Sequence, residues 1–397
     1  MKKVQLGPKK VEIPATWRVK QVQDIIETVS TKKAIKKRDY AEHGKYPIVD
    51  QSSQKIAGYA NEKALVNHVE PVIVFGDHSR QVKYVDFPFI VGADGTKILQ
   101  TKEEKMEFVY QALKQNEVQS RGYQRHFKYL KEKKIPLPPL EEQKRIATIL
   151  TTIDDLIEKT ERVIQQTQRV KKGLMQDLLT KGLGHTEFKE VQLGPKTVQI
   201  PQEWELKRVK EITNYIKSGG TPKSTNEEYY SGRIPFVKIE DMTEAGPYLE
   251  TTKNHITEEA IVESSTWNVP EGKLLFSIYG SYGKVTINKV PVCTNQAILA
   301  LETDEETSQT YTKYALESMK WFFDSVTKAT TQANLTKKIV SNTKLITPPL
   351  EEQKRIATIL NTIDKKIQKE KEEKEKIQQL KKGLMQSLLT GKVRVDV

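Results

Sequence analysis

A chain of 397 residues is too long for one ordinary core and implies two or three domains. Its 37% hydrophobic content suffices for globular folding, and no apolar run reaches the roughly eighteen residues of a membrane-span candidate. A single cysteine, Cys293, rules out an internal disulfide and argues against a thiolate zinc site. With no signal-like apolar start, a reducing cytoplasm is the expected location. The net charge of +13 is uneven: residues 1–140 carry +10, 141–187 zero, 188–350 −1 and 351–397 +4. A basic surplus attracts a polyanion, nucleic acid first, or merely serves solubility.

In chain order, a leading segment VQLGPK (residues 4–9) is followed by IP at 13–14 and by Trp17. YPIVDQ, PVIVFG and FPFIVG then have the composition of strands, and residues 102–115 that of a helix. Pro138 and Pro139 close this α+β stretch. From Glu141 to Thr180, apolar residues fall at Ile146, Ile149/Leu150, Ile153, Leu156/Ile157, Val163/Ile164, Val170, Leu174 and Leu178. Steps of three and four predict a heptad stripe on one long helix. Glu141 and Glu142 suit its first turn, the late lysines its last, and Gly182 its stop. Forty residues rising about 1.5 Å each make a rod of about 60 Å.

The second half repeats this plan. PPLEEQKRIATIL occurs letter for letter at 138–150 and 348–360, and KKGLMQ and LLT recur with the same displacement of 210. The leading segment, its IP and its tryptophan recur 187 residues on, at 191–196, 200–201 and Trp204. The chain therefore reads as a duplication in which the second variable domain is 23 residues longer, and a repeat comes before any other interpretation. IPFVKI, KLLFSIYG, KVTIN and QAILALE are expected strands, and residues 307–325 an expected helix. Residues 351–390 form the second stripe, with a charged middle, KKIQKEKEEKEK, and Gly391 as its stop. A 40-residue amphipathic helix cannot bury its stripe alone. The two copies are matched to pair antiparallel within one chain, with pairing between chains as the alternative. The charged middle predicts a loose centre or a site for a third protein.

The candidate binding residues lie in loops. In the first domain TKKAIKKR carries Lys32, Lys33, Lys36, Lys37 and Arg38, suited to phosphates or to a solvated helix face. GDHSRQVK offers Asp77, His78, Ser79, Arg80 and Lys83, a mixture of donors and acceptors that suits base edges, with Arg80 able to grip guanine bidentately, or else forms an ordinary turn. Arg121 and Arg125 sit among aromatic residues, a pattern compatible with the DNA backbone. In the second domain SGGTPKS brings Ser218, Gly219, Gly220, Thr221 and Lys223, with glycines that allow close approach. IYGSYGKV carries Tyr279, Ser281, Tyr282 and Lys284; ANLTKK carries Asn334 and Lys337. Asn295 and Gln296 of TNQA pair naturally with adenine or else fix a turn.

Signs of catalysis are missing. The chain has no GxxxxGK[ST], GxGxxG, HExxH or GxSxG, and no Asn- or Asp-Pro-Pro-aromatic motif that would hold a flipped base. Neither a catalytic centre nor a metal site is expected.

The doubled segments IPLPPLEEQKRIATIL (135–150) and ITPPLEEQKRIATIL (346–360), the GLMQxLLT endings, GGTP and the terminal LTGKVRV resemble the specificity subunits of type I restriction–modification systems. The resemblance covers essentially the whole chain. It implies an α+β protein with two similar target-recognition domains joined by two long antiparallel coiled-coil helices, an internal pseudo-two-fold duplication. Residues 1–140 would be the first recognition domain, 141–182 the first spacer helix, 183–350 the second domain, and 351–397 the second helix and tail. Each domain would read one half of a split, asymmetric sequence in double-stranded DNA. The helices would set the unread gap and dock two methyltransferase subunits, with two restriction–translocase subunits joining. Glu142, Arg145, Ile146 and Ile153, with Glu352, Arg355, Ile356 and Ile363, are the corresponding spacer and partner-facing positions. Such a chain has no active site and binds no cofactor. S-adenosylmethionine, ATP and magnesium belong to the partners, and no membrane is involved. Thr347 in place of the first copy's Leu137, and the charged second helix, depart from strict repetition. The competing readings are a coiled-coil adaptor that does not read DNA and a self-sufficient DNA-modifying enzyme.

Overall fold

The structure, a computed structural model, describes residues 1–6, 9–67, 71–120, 122, 124–328 and 334–396. It contains two compact units: Met1–Glu161 with Glu373–Val397, and Arg162–Glu372.

In the first unit a hairpin of β1 (Lys2–Leu6) and β2 (Lys9–Ile13) leads to β3 (Arg18–Gln21), the one-turn helix α1 (Val22–Ile25) and β4 (Ile26–Thr28). Then come β5 (Tyr46–Val49), β6 (Gly58–Ala60), β7 (Val66–Asn67), β8 (Val72–Gly76), β9 (Val82–Val85), β10 (Phe89–Val91) and β11 (Thr96–Thr101). Helices α2 (Met106–Gln115) and α3 (Phe127–Glu132) and strand β12 (Lys134–Leu137) precede the 39-residue helix α4 (Leu140–Leu178), which belongs to this unit as far as Glu161. One sheet has the order β4-β11-β8-β9, another β6-β5-β10-β7, and β12 pairs with β3. The alternation of Val, Ile and Phe in β8 and β10 is buried throughout, as expected of strands covered on both faces.

The second unit follows the same order. Hairpin β13 (Phe188–Leu193) and β14 (Lys196–Pro201) leads to β15 (Glu205–Arg208), β16 (Thr213–Ser218), β17 (Ile234–Val237), α5 (Ile239–Ala245), β18 (Tyr248–Leu249) and β19 (Asn254–Ile256). Helix α6 (Glu258–Val262) precedes β20 (Leu274–Ser277), β21 (Val285–Asn288), β22 (Cys293–Thr294) and β23 (Ile298–Thr303). Helices α7 (Gln309–Ser318), α8 (Lys320–Lys328) and α9 (Lys337–Asn342), strand β24 (Lys344–Thr347) and the part of helix α10 (Leu350–Leu388) up to Glu372 complete it. Its sheets run β16-β23-β20-β21-β18 and β19-β17-β22, with β15 paired to β24. In both units the central hairpin (β8/β9, β20/β21) is antiparallel and the small sheet holds one parallel pair (β5/β10, β17/β22). The two variable domains therefore share one fold despite dissimilar sequences.

Two predicted helices begin or end differently. The helix expected over 102–115 starts at Met106, because Glu104 is buried against Lys20 at 3.3 Å and the Lys105 amide donates to Gln143 Oε1 at 2.9 Å. The helix expected over 307–325 is two helices, broken at the buried Met319.

The long helices pair antiparallel in each unit. In the first, Lys381 Nζ reaches Asp154 Oδ1 at 2.5 Å and Lys374 pairs with Glu161. In the second, Lys171 Nζ reaches Asp364 Oδ1 at 2.7 Å. These contacts correct the predicted stripe. Leu156, Val163 and Val170 of α4 and Leu380 of α10 are exposed. The buried row of α4 instead includes Ile146, Leu150, Thr160, Ile164 and Leu178. Lys171 and Lys381 take the seam positions next to Val170 and Leu380, because each finds a carboxylate on the facing helix. Gly182 and Gly391, the expected stops, both have φ +68°, the left-handed conformation that ends a helix.

Candidate nucleic-acid interface

The duplicated letters build each domain's base. Trp17 is fully buried and its Nε1 donates to Glu142 Oε2 at 2.9 Å; Trp204, equally buried, donates to Glu352 Oε2 at 3.0 Å. Gln143 Nε2 donates to the Pro138 carbonyl, and Gln353 Nε2 to the Pro348 carbonyl. The amide oxygens of these glutamines accept from the Lys105 and Ser308 amides, at the starts of α2 and α7. Glu142, Ile146 and Ile356 are buried, and Glu352, Ile153 and Ile363 half-buried, so they hold the fold. Arg145 and Arg355 are exposed.

Three loops meet in each domain, at equivalent places in the topology. The first follows β4 or β16, the second is the central hairpin tip, and the third joins β10 to β11 or β22 to β23. In the first unit the run is irregular over 31–36, turns through one short 3-10 helix at Lys37–Asp39, and is pinned at Ile35, whose amide donates to the Val91 carbonyl at 2.9 Å. Lys32, Lys33, Lys36, Lys37 and Arg38 are all exposed around that buried pin. Gln51 ties the other two loops together: its Oε1 accepts from the His78 amide at 3.1 Å and its Nε2 donates to the Asp94 carbonyl at 2.8 Å. Nothing in the sequence marks Gln51 as part of this site.

The hairpin residues point in different directions. Asp77 is buried and its Oδ1 accepts from the Phe127 amide at 2.7 Å, so it organises the start of α3. Lys83 is buried, donating to the Asp50 carbonyl at 2.6 Å, and burial holds its ammonium below the ordinary lysine range while Asp50 opposes the shift. Ser79 Oγ accepts from the Gln81 amide, and His78 is half-buried. Arg80 has φ +64°, in the left-handed region, and Nη1 donates to the Val118 carbonyl at 3.3 Å. Among the described residues the other positive-φ position outside glycine is Ala93, in the adjoining loop, so backbone strain gathers at this end of the domain. Arg125 is exposed; Arg121 lies outside the described residues.

In the second unit Gly219 and Gly220 are buried against the third loop. A Cβ on Gly219 would stand 1.9 Å from the Thr294 carbonyl oxygen, so only glycine fits. Beyond them Thr221 Oγ1 donates to Gln296 Oε1, linking two exposed loop tips. Asn295 is half-buried and its Oδ1 accepts from the Ala297 amide at 3.0 Å, which fixes the turn. Ser218, Lys223, Ser281, Lys284, Asn334 and Lys337 are exposed, and Tyr279 partly so. Tyr282 is held back: its hydroxyl donates to Asp324 Oδ1 at 3.0 Å. The Ile278 amide donates to the Ala297 carbonyl and the Ile278 carbonyl accepts from the Leu335 amide, which gathers the hairpin, TNQA and the 334 segment at one place.

Among the described residues no group of three or more His, Cys, Asp or Glu side chains could hold a metal ion. Cys293 is buried, which pushes its thiol up to about 11. Among the described residues no helix is long and apolar enough to cross a membrane.

Two domains of one fold, each presenting a different set of polar loop tips from a duplicated base, define a recognition protein built as two readers. The chain belongs to the type I restriction modification DNA specificity domain family, whose model matches residues 14–169 and 201–379. It is 29% identical over 434 aligned positions to the putative type I restriction enzyme MjaX specificity subunit of Methanocaldococcus jannaschii, covering 99% of this chain and 96% of that one. It is 25% identical to the type I restriction enzyme EcoR124I/EcoR124II specificity subunit of Escherichia coli, covering 84% and 83%. The crystal structure of a type I restriction–modification S subunit from M. genitalium shares the fold, with a TM-score of 0.64, 18% identity and 99% of both chains covered.

Proposed function

We propose that this chain is the DNA-reading subunit of a type I restriction–modification complex and that each unit's three-loop cluster reads one half of a bipartite sequence in double-stranded DNA. The observation that carries this is the equivalence of the loops. Segments 31–38 and 218–224, hairpin tips 77–81 and 278–284, and turns 92–95 and 295–297 occupy matching places in one fold while their sequences differ. A shared scaffold with divergent tips fits two targets. Arg80, the exposed lysines of 31–38 and Arg125 are the first reader's donors. Thr221, Lys223, Gln296, Asn334 and Lys337 are the second's.

The chain is non-catalytic in this reading. S-adenosylmethionine, ATP and magnesium are bound by two methyltransferase and two restriction–translocase subunits, and the complex works in the cytoplasm. Each spacer helix begins with the same exposed strip, Lys144, Arg145 and Thr148 in one copy and Lys354, Arg355 and Thr358 in the other. Two copies of one strip suit two copies of one partner, here the methyltransferase.

The test is reconstitution with the co-expressed methyltransferase subunit and S-adenosylmethionine. The pair methylates DNA at a two-part sequence and the purified chain alone does not. Methylation or cleavage by the chain alone, or no DNA affinity at any salt concentration, defeats this reading.

A further inference from the structure

The second recognition domain carries almost no net charge, with −1 over residues 188–350, so its hold on a polyanion cannot come from a diffuse field. Within this unit a cavity of about 720 Å³ opens between the central hairpin tip, α7 and the two long helices. Its walls concentrate cations. Lys313 is 1% exposed, at 2.9 Å from Glu317 Oε1, and Lys171 lies 2.7 Å from Asp364 Oδ1, so two lysines and two carboxylates neutralise one another on its inner wall. The remaining wall lysines differ. Lys320 stands 4.1 Å from the Tyr282 ring and pairs with Asp324. Lys284, on the hairpin, and Lys371, on α10, are exposed and have no ion pair among the described residues.

We propose that this cavity anchors backbone phosphate of duplex DNA through Lys284 and Lys371, next to the second reader; the inference rests on the DNA-reading function above. Lysine offers donors and no acceptor, so these side chains suit phosphate oxygens rather than the mixed edge of a base pair. The hairpin tip lines the same cavity and is open at Gly280, which has φ +57° and where a Cβ would meet nothing within 4 Å. The same hairpin continues at Ile278 into the bond with Ala297, so a strand engaged by the TNQA turn lies beside the hairpin that bears Lys284. The inner wall keeps the site in place without competing for the anion, because its cations are already matched.

The experiment is the salt dependence of binding of a mixed-sequence duplex to the full-length chain. Each phosphate contact contributes a slope of about 0.9 in log K against log salt, so Lys284→Gln with Lys371→Gln lowers the slope by roughly 1.8. The paired Lys→Arg variants retain the wild-type slope. Lys366→Gln with Lys369→Gln, exposed on α10 away from the cavity, is the charge-matched control and leaves the slope unchanged. An unaltered slope in the cavity variant, or an equal loss in the control, overturns the proposal. So does an unaltered slope accompanied by lost association with the methyltransferase subunit, which would assign the cavity to an acidic protein partner. A wild-type chain without salt-dependent binding would instead sink the DNA-reading function itself.

Discussion

Glu142 and Glu352 occupy the same place in the two copies of the duplicated helix, and each accepts from a buried indole. Their second partners differ. Glu142 receives Arg394 in a two-pronged contact at 2.6 and 2.9 Å; Glu352 receives His185 at 2.9 Å. The tryptophan and the glutamate belong to the repeated letters, whereas the second partner comes from the tail behind the other helix. The hairpin tips differ further. The first places a side chain, Arg80, in the left-handed region, and the second places Gly280 and Gly283 there. Duplication has kept the base of each reader and released its tip, as expected when two scaffolds serve different targets.

The equivalence of the two bases can be broken most severely at the indoles. Trp17→Ala and Trp204→Ala should each cost about 3–5 kcal/mol, from lost burial and the lost indole hydrogen bond to the glutamate, measured by denaturant unfolding. A silent substitution at either position would show that the two bases are not equivalent. The helix locks come next. Asp364→Ala leaves the buried Lys313 and half-buried Lys171 with Glu317 alone and strips the Tyr314 hydroxyl of its acceptor, and should cost about 3 kcal/mol. Asp154→Ala should cost less, because that carboxylate is 33% exposed. Equal losses would mean that burial does not set the difference.

The smallest effect is alkaline. Burial, and then the nearby Lys114, hold Lys381 below its ordinary 10.5, with Asp154 opposing. Between that lowered value and 10.5 the unfolded chain binds more protons than the folded one, so this group's contribution to stability rises with pH through that window. The difference in unfolding free energy between the wild type and Lys381→Met should therefore shift in favour of the wild type as pH increases there. A flat difference would mean that Lys381 is solvated. The raised Tyr84 and Tyr314 hydroxyls act in the opposite sense but are common to both proteins and cancel.

Much of the scaffold was legible in the sequence because repetition and heptad spacing are local signals. The 39-residue helices begin and end within a residue or two of the expected limits. The seam was read one step off at Val170 and Leu380, since a lysine looks like a surface residue until its carboxylate partner, far away in sequence, is known. The loop spans were also legible from their glycines and mixed charges. The direction of each side chain was not: Asp77 and Lys83 lie in a donor-rich run yet face inward, and Tyr282 is bonded to Asp324. Gln51 could not be found at all, because its role depends on residues 78 and 94 being brought to it by the fold.

Two equivalent loop clusters that read two separate half-sites should leave a two-part signature on methylated DNA. The most direct measurement is a genome-wide map of methylated adenines made by the chain with its methyltransferase partner, for the wild type, Arg80→Ala and Gln296→Ala. A two-part sequence is expected. Arg80→Ala should relax a base in one half by about 1–3 kcal/mol of discrimination, and Gln296→Ala a base in the other. A single continuous motif, or both substitutions relaxing the same half, would contradict it.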